Sequence, residues 1–400
     1  MQTIQIVLKK KGLFLLLILL GLTGPFSIDM YLAAFPLILK DLQTTPHMLS
    51  FTLIGFSLFM AIGMLLMGTL SDKFGRKPIL LIGLGVYIIS SLGIVFTPNI
   101  ELFIVFRIAQ AFGAGGMVSV PMAIIKDSFS DEERTRTIAT LQMFTVLGPT
   151  IAPVLGAQLI KYFSWHASFI VLAFVAIISL LLAIFFQETL SVERRLKVGV
   201  FQSILSLKEV IKNKSFMLFL FSTAMTSVIF MGYLAISSYI YIAWFSLSET
   251  SFSFYFAANS MLLVLGPKTY LIIKKRYKPS VILRSALFII FTASILTATI
   301  GQYSPLLFLI CFAPVALSNS FMRSFATDVL LGQPEMNAGA SASMISFIYV
   351  ALGSIGMFIT SAVDTGYVIT LGIIGIVVSI VSFILVHYYT RYGLSLKGFE

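Results

Sequence analysis

Charge is what this 400-residue sequence has least of, since only 11% of its residues are Asp, Glu, Lys or Arg. Soluble domains carry about 25% charged residues, so this composition excludes an ordinary soluble fold. Acidic residues are fewer than basic ones: the chain has 16 Asp and Glu and 27 Lys and Arg, which gives a formal net charge of +11. The basic residues lie in the connections between long apolar segments. We therefore expect a lipid bilayer, and no nucleic acid, as their partner.

Cysteine and histidine are also nearly missing. Cys311 is the single cysteine, which excludes an intrachain disulfide. The three histidines, His47, His166 and His387, lie at the ends of different apolar segments, too scattered for a metal site. The sequence has no Ser-His-Asp set, no Gly-x-Ser-x-Gly and no phosphate-binding loop. It therefore predicts neither an enzyme nor a cofactor. The expected energy source is an ion gradient and not ATP.

Apolar residues are what the sequence has in excess: they make up 58% of the chain, and the mean hydropathy is +1.00. The apolar segments are long enough to span a bilayer as helices. They lie near 13–36, 48–70, 78–97, 100–126, 136–160, 165–187, 215–243, 251–273, 281–301, 304–326, 338–362 and 366–389. This pattern predicts an all-α integral membrane protein with twelve transmembrane helices in two six-helix halves. The halves are 1–190 and 215–400, joined by a basic cytoplasmic linker at 191–214.

The basic residues are unevenly distributed between the two kinds of loop. Most lie at the termini, in the linker and in the even-to-odd loops, whereas only Lys40 and Lys161 lie in the opposite loops. The positive-inside rule then places both termini in the cytoplasm. We expect a multi-pass protein of the cell (plasma or inner) membrane, and a monomer. The run Lys9–Lys11 before the first segment resembles a signal peptide but lacks a cleavage site, so a retained first helix is predicted.

A short polar stretch separates the second and third apolar segments: Gly68-Thr69-Leu70-Ser71-Asp72-Lys73-Phe74-Gly75-Arg76-Lys77-Pro78. Its pattern Gly-x-x-x-Asp-x-x-Gly-Arg-Lys resembles the signature between helices 2 and 3 of the major facilitator superfamily. Asp127, at the end of the fourth segment, could join Asp72 and Arg76 in a cytoplasmic charge cluster. Such a gating cluster would stabilise the outward-facing state, and a solvated loop pair is the alternative. The equivalent stretch of the second half, 266–277, keeps the positive charge but lacks the Asp and the Gly-Arg pair.

The first apolar segment contains an acid, Asp29, and the fourth contains a base, Arg107, followed by a Gly/Ala cluster within 108–116 whose small residues predict a close approach of helices. An ionised carboxylate is expensive inside a membrane, so Asp29 should be neutral, paired or water-facing. Both residues lie at a similar depth. If they approach each other, Arg107 would hold Asp29 ionised, and separating or hydrating the pair would couple proton binding to conformation. Two alternatives fit the same residues: a purely structural salt bridge, and a solvated Asp29 near the outer mouth.

The fifth segment contains Gly148-Pro149-Thr150-Ile151-Ala152-Pro153-Val154-Leu155-Gly156. Two prolines four residues apart remove two backbone donors and loosen the helix, and the small residues allow tight packing, which we expect against the eighth segment. This stretch resembles the antiporter motif of drug/proton antiporters, although a kinked helix of a symporter would look similar. Ser130 and Glu133 fit a capping box at the start of this helix.

The chain also resembles the Bcr/CflA branch of these antiporters over most of its length. The likeness is carried by the stretches 27–36, 125–127, 152–156, 165–169, 238–242, 254–261 and 339–343. The resemblance implies a proton-coupled exporter that works by alternating access, with Asp29 as the proton-carrying acid. Ala33, Ala111 and Ser238 depart from the branch, and Arg323 and Asp328 are additional charges.

Aromatic and polar residues within the apolar segments are the candidates for substrate binding at the interface of two such halves. They are Tyr31, Gln110, Tyr233, Tyr239, Asn259, Asn319 and Arg323. They suit a small amphiphilic molecule, although Tyr and Asn in spans also bond neighbouring helices and Arg323 could snorkel to the surface. If Arg323 faces a cavity, a carboxylate-bearing or zwitterionic solute such as a metallophore is favoured. The alternatives to a proton-coupled exporter are a proton-coupled importer of a polar metabolite and a non-transporting receptor.

Overall fold

The computed structural model describes residues 8–195, 208, 210–333, 338–363, 366–391 and 396. Within this part of the chain every regular element is helical. Contacts divide the chain into two units, residues 1–203 and 204–400. The predicted linker at 191–214 falls largely outside the described residues, so its boundaries and its cytoplasmic position stay predictions.

The first unit contains seven α-helices among its described residues. They are α1 (Lys9–Asp29), α2 (Phe35–Asp41), α3 (Pro46–Phe74), α4 (Arg76–Val95), α5 (Ile100–Ser128), α6 (Asp131–Tyr162) and α7 (His166–Phe185). Thr45, Asn99 and Ser130 cap the N-termini of α3, α5 and α6 with their side chains. The predicted capping box of Ser130 and Glu133 is confirmed.

In the second unit, seven α-helices have both bounds within the described residues, and residues 208 and 210–212 are helical as well. The seven helices are α8 (Lys214–Ala224), α9 (Thr226–Ser238), α10 (Glu249–Ile273), α11 (Pro279–Thr299), α12 (Pro305–Leu331), α13 (Ala338–Ser361) and α14 (Tyr367–Arg391). A π-helical turn, Tyr239–Trp244, extends α9. Helices α8 and α9 with this turn form one span, Lys214–Trp244.

Eleven spans of the described residues are long and apolar enough to cross a membrane. Helix α6, of 32 residues, covers the fifth predicted segment and is not one of the eleven. All twelve predicted apolar segments therefore correspond to long helices, or to pairs of helices in one span.

The first span is broken in its middle. Helix α1 ends at Asp29, a 3₁₀ turn covers Leu32–Ala34, and α2 begins at Phe35. Pro36 explains the break, because a proline within a continuous helix would remove a backbone donor and its ring would clash with the carbonyl of Leu32, four residues earlier. The break places Asp29 at the last residue of α1 and Tyr31 in the turn that follows, both within a buried region of the unit, since both are at most 4% exposed.

Glycines bring α5 close to its two neighbours, α3 and α4. A Cβ atom on Gly115 would lie 2.5 Å from the carbonyl carbon of Gly63 in α3, and one on Gly113 would lie 2.6 Å from the carbonyl oxygen of Gly83 in α4. The predicted close approach of helices at this Gly/Ala cluster is therefore present. It holds α5, the helix that carries Arg107, tightly within the first unit.

Candidate functional site

Arg107 is the centre of a buried polar network in the first unit, and its side chain has no exposed surface. Its Nη1 donates to Gln110 Oε1 at 2.6 Å and its Nη2 donates to Tyr31 Oη at 3.3 Å. The third donor, Nε, reaches the backbone oxygen of Thr52 at 3.4 Å. The guanidinium carbon also lies 4.1 Å from the ring centre of Phe56 and 4.7 Å from that of Tyr31. Neutral acceptors and aromatic faces therefore stabilise this buried charge.

The network extends from Arg107 into α3 and α4. Tyr31 Oη pairs with Thr52 Oγ1 at 2.8 Å, and Gln110 Nε2 donates to Ser91 Oγ at 2.7 Å. Tyr31 and Gln110 are therefore both fully buried and hydrogen-bonded in this conformation. Their proposed contact with a substrate requires a conformation in which this network opens.

Asp29 is buried beside this network but is not joined to it by a hydrogen bond. Among the described residues, its carboxyl group makes no hydrogen bond, and no ion pair links it to Arg107. The pairing that the sequence suggested for these two residues is thus not formed in this structure. Three of the five N–H groups of the Arg107 guanidinium are directed instead at Gln110, Tyr31 and Thr52.

The glycines of the fifth predicted segment pack against the broken first span. A Cβ atom on Gly148 would lie 2.6 Å from Cβ of Pro25 in α1. A Cβ atom on Gly156 would overlap the backbone oxygen of Met30, next to Asp29. Helix α6 therefore touches the backbone of the break itself. The contact that the sequence suggested with the eighth segment would join the two units and stays a prediction.

Pro149 and Pro153 lie within α6 between these two glycines. The helix continues through both prolines, from Asp131 to Tyr162, although each lacks the backbone N–H that an α-helix uses. This stretch of α6 is therefore held by fewer backbone hydrogen bonds where it meets the break in the first span.

The turn between α3 and α4 gathers the charged residues of the predicted gating cluster. Arg76 is 6% exposed, its Nη1 donates to Ser71 Oγ at 2.8 Å and also to Asp72, and its Nε donates to Asp127 Oδ2 at 3.2 Å. The structure thus brings Asp72, Arg76 and Asp127 together. Gly68, one turn before Ser71 in α3, faces Ser119 of α5 at ordinary contact distance.

Glu188 completes this cluster, and the sequence reasoning missed it. Its Oε1 and Oε2 accept the backbone N–H groups of Arg76 and Lys77 at 2.9 and 3.0 Å. These are the first residues of α4, so a carboxylate caps the helix N-terminus. Gly75 precedes them with φ +107°, and a Cβ atom there would lie 2.5 Å from Glu188 Oε2. Only glycine fits this position, and no local pattern marks a partner 112 residues away.

In the second unit, Tyr233 and Asn259 form a buried pair. Asn259 Nδ2 donates to Tyr233 Oη at 3.1 Å, and the Tyr233 ring stacks on Phe256 with 5.9 Å between ring centres. Tyr239 begins the π-helical turn and stacks on Tyr367 at 5.8 Å. All three candidates from this region, Tyr233, Tyr239 and Asn259, are at most 3% exposed.

Asn319 and Arg323 lie one turn apart on α12 and are more accessible. Asn319 Oδ1 accepts a hydrogen bond from Thr226 Oγ1 at 3.3 Å. Arg323 is exposed, and its guanidinium carbon lies 5.7 Å from the ring centre of Tyr349 in α13. Tyr349 was not among the residues selected from the sequence, because only the packing of α13 on α12 reveals it.

Asp328, the other additional charge of the second half, has partners that the sequence pattern did not show. Its Oδ2 accepts hydrogen bonds from Tyr270 Oη at 2.6 Å and Lys274 Nζ at 3.0 Å. The turn that lacks an Asp of its own thus obtains an acid from α12. Among the described residues, no group of three His, Cys, Asp or Glu could hold a metal ion.

Comparisons with known proteins agree with this arrangement. The Major Facilitator Superfamily profile matches residues 17–361. A bicyclomycin resistance protein homolog of Haemophilus influenzae is 28% identical over 359 residues, covering 87% of this chain and 89% of its own length. A multidrug resistance protein, MdtL, of Vibrio parahaemolyticus is 36% identical over 171 residues, which are 42% of each chain.

Solved structures share the fold at low sequence identity. A nucleoside transporter, NupG, superimposes with a TM-score of 0.74, at 13% identity, over 95% of this chain and 99% of its own. A D-xylose-proton symporter superimposes with a TM-score of 0.69, also at 13% identity, over 92% of this chain and 96% of its own. The fold predicted from the sequence is confirmed by these matches.

Proposed function

Because this chain belongs to the major facilitator superfamily and is a multi-pass membrane transporter, we propose that it exports a small amphiphilic or zwitterionic molecule in exchange for protons. The direction of transport is supported by the relatives, whose names describe resistance to bicyclomycin and to multiple drugs. An endogenous solute such as a metallophore falls within the same chemical class. The protein would alternate between outward-facing and inward-facing states.

The proposed proton carrier is Asp29. A buried carboxyl group that has no hydrogen-bond partner among the described residues is more stable neutral than ionised. Asp29 lies at a helix break, where irregular backbone in a membrane typically lines a functional site. In the structure described here Asp29 would hold its proton, and it would release the proton when opening of the unit lets water reach it.

The positive charge of Arg107 is proposed to favour the ionised form of Asp29 once the unit opens. Arg107 is linked to Asp29 through the backbone, because its hydrogen-bond partner Tyr31 lies two residues after Asp29. A fixed positive charge at this place would favour release of the proton as soon as water lowers the penalty for a carboxylate. The unpaired, buried Asp29 beside this network is the single observation that carries the proposal.

The gating cluster of Asp72, Arg76 and Asp127 is proposed to stabilise the outward-facing state. Arg76 is almost completely buried between two carboxylates, and its loss would leave charges without partners at the turn. Substrate contacts are proposed for Tyr233, Tyr239, Asn259, Asn319 and Arg323 of the second unit, and for Tyr31 and Gln110 of the first. The cytoplasmic location of both termini, the inner or plasma membrane and the monomeric state are parts of the same proposal.

The test measures transport of bicyclomycin into inside-out vesicles with an acidic interior. The wild-type protein should accumulate bicyclomycin and dissipate the pH gradient. Asp29→Asn should abolish both signals while the protein keeps its elution volume in size-exclusion chromatography. Glu101→Gln, the matched control, alters an exposed carboxylate in the first turn of α5 and should leave transport unchanged.

Three outcomes would reject parts of this proposal. Full proton-driven accumulation by Asp29→Asn would remove Asp29 from its role. Solute movement out of these vesicles, along with protons, would show that the protein is an importer. Equal accumulation of bicyclomycin when a sodium gradient replaces the proton gradient would show that sodium is the coupling ion.

A further inference from the structure

Arg323 is an arginine without an acid partner in the part of the chain that the structure describes. It takes part in no salt bridge there, and its guanidinium group makes no hydrogen bond among the described residues. The five N–H donors at the edge of the group are therefore available. The guanidinium carbon lies 5.7 Å from the ring centre of Tyr349, a residue that is 3% exposed.

With the middle of α12 at the centre of the bilayer, Arg323 would lie within the hydrocarbon core. Helix α12 has 27 residues, and Arg323 lies five residues past its middle, about 7.5 Å along the helix axis. The hydrocarbon core extends about 15 Å from its centre. The salt bridge of Asp328 with Lys274 lies closer to the end of α12 than Arg323 does. Arg323 is therefore deeper than the charges that mark the end of this helix.

The direction of the side chain argues against snorkelling. A snorkelling arginine extends toward the nearer membrane surface, along its own helix. The guanidinium of Arg323 instead lies near the ring of Tyr349, which is one of the two central residues of α13. An arginine at this depth is stable only beside protein or water, so its exposed edge must face an aqueous space.

Polar groups from two other helices converge on the same place. Asn319, one turn before Arg323, uses its Oδ1 to accept from Thr226 of α9, which leaves the two N–H groups of its amide as donors. Thr226 follows the interruption between α8 and α9 at Met225. Ser227, the next residue, donates to the backbone oxygen of Tyr349 at 2.8 Å and so ties α9 to α13. The position of Arg323 over Tyr349 is thus held by the packing of three helices.

We propose that Arg323 and Asn319 form a subsite that binds a carboxylate group of the transported solute. The planar guanidinium matches the two oxygens of a carboxylate, the amide of Asn319 adds a further donor, and the contact with the Tyr349 ring helps to position the guanidinium. This inference rests on the proposed function, because it assigns a chemical class to the solute of that transporter.

The test uses a cysteine reporter and needs neither transport nor a pH gradient. In a Cys311→Ala background, Asn319→Cys is labelled in phosphatidylcholine nanodiscs with an anionic and with a cationic methanethiosulfonate. Residues four apart on a helix are about 6 Å apart, so the positive charge of Arg323 should favour the anionic reagent by at least about tenfold. This preference should disappear in Arg323→Gln and persist in Arg323→Lys. Arg284→Gln, which removes an exposed positive charge of α11, should not change it.

Two further arms make the result decisive. Thr327→Cys, one turn after Arg323 and partly exposed, is a second reporter that leaves Asn319 intact. Benzoate should slow labelling of Thr327→Cys, in which Arg323 and Asn319 are both intact, more than benzamide does, and this difference should disappear when Arg323→Gln is added. Because the nanodiscs contain no anionic lipid, protection by benzoate reports a soluble carboxylate and not a lipid headgroup.

The overturning results are equally specific. Absence of labelling by both water-soluble reagents would show that Arg323 does not face water. If the anionic reagent is preferred equally with Arg323 intact and in Arg323→Gln, Arg323 does not create a positively charged subsite and the proposal is wrong. Equal protection by benzoate and benzamide would reject carboxylate recognition. None of these results depends on Asp29, so a failure here differs from a failure of proton coupling.

Discussion

Replacing Gly156 of α6 by alanine should destabilise the first unit where α6 touches the break in the first span. The added Cβ would overlap the backbone oxygen of Met30 and would lie 2.7 Å from its carbonyl carbon and 3.2 Å from its Cα. A carbonyl group cannot rotate away as a flexible side chain can, so either α6 or the break must shift. Overpacking of this kind costs about 1–3 kcal/mol, and a rigid obstacle favours the upper part of that range.

A matched control separates this packing cost from the change in helix propensity. Gly85 lies inside α4, and a Cβ atom there would meet no atom within 4 Å. Gly85→Ala should therefore be neutral or stabilise the protein by up to about 1 kcal/mol through helix propensity alone. The difference between the two variants, about 1–3 kcal/mol, reports the contact of Gly156 with Met30.

The assay is reversible unfolding in mixed micelles titrated with sodium dodecyl sulfate, followed by circular dichroism. Gly156→Ala should unfold at a lower detergent fraction than the wild type, and Gly85→Ala should not. Transport driven by the pH gradient should fall in Gly156→Ala, because Met30 is the residue next to Asp29. Equal unfolding free energies for the two variants would refute the close packing of α6 on the break.

Two further predictions concern the turn between α3 and α4. Asp72→Ala and Arg76→Ala should each slow the turnover of transport more than they weaken solute binding, because the gating cluster is proposed to stabilise one conformation. Equal losses of turnover and of binding, measured by flux and by isothermal calorimetry, would contradict a gating role. Glu188→Gln should lower the free energy of unfolding by about 0.3–1 kcal/mol, because a carboxylate interacts more favourably with a helix N-terminus than an amide does. An unchanged unfolding midpoint would show that this charge contributes nothing to the cap.

The amino-acid sequence by itself determined which parts of this protein are helices in a membrane. Long apolar segments separated by short polar turns have few other stable arrangements, because every backbone polar group in a bilayer must be hydrogen-bonded within the protein. Local chemistry also predicted the capping box of Ser130 and Glu133, the close approach at the glycines of α5, and the meeting of Arg76 with Asp72, which lies four residues away on the same turn. These features depend on residues near one another in the chain.

Tertiary structure alone decided the partners of the charged residues within and beside the spans. Arg107 donates to Tyr31, 76 residues away, and leaves Asp29 unpaired; Glu188 reaches the start of α4 from 112 residues away. Asp328 meets Lys274, and Arg323 rests on Tyr349. Such contacts depend on the rotation and the depth of each helix relative to its neighbours. A rotation of one residue, about 100°, would turn the same side chain to another helix, and hydropathy alone does not specify that angle.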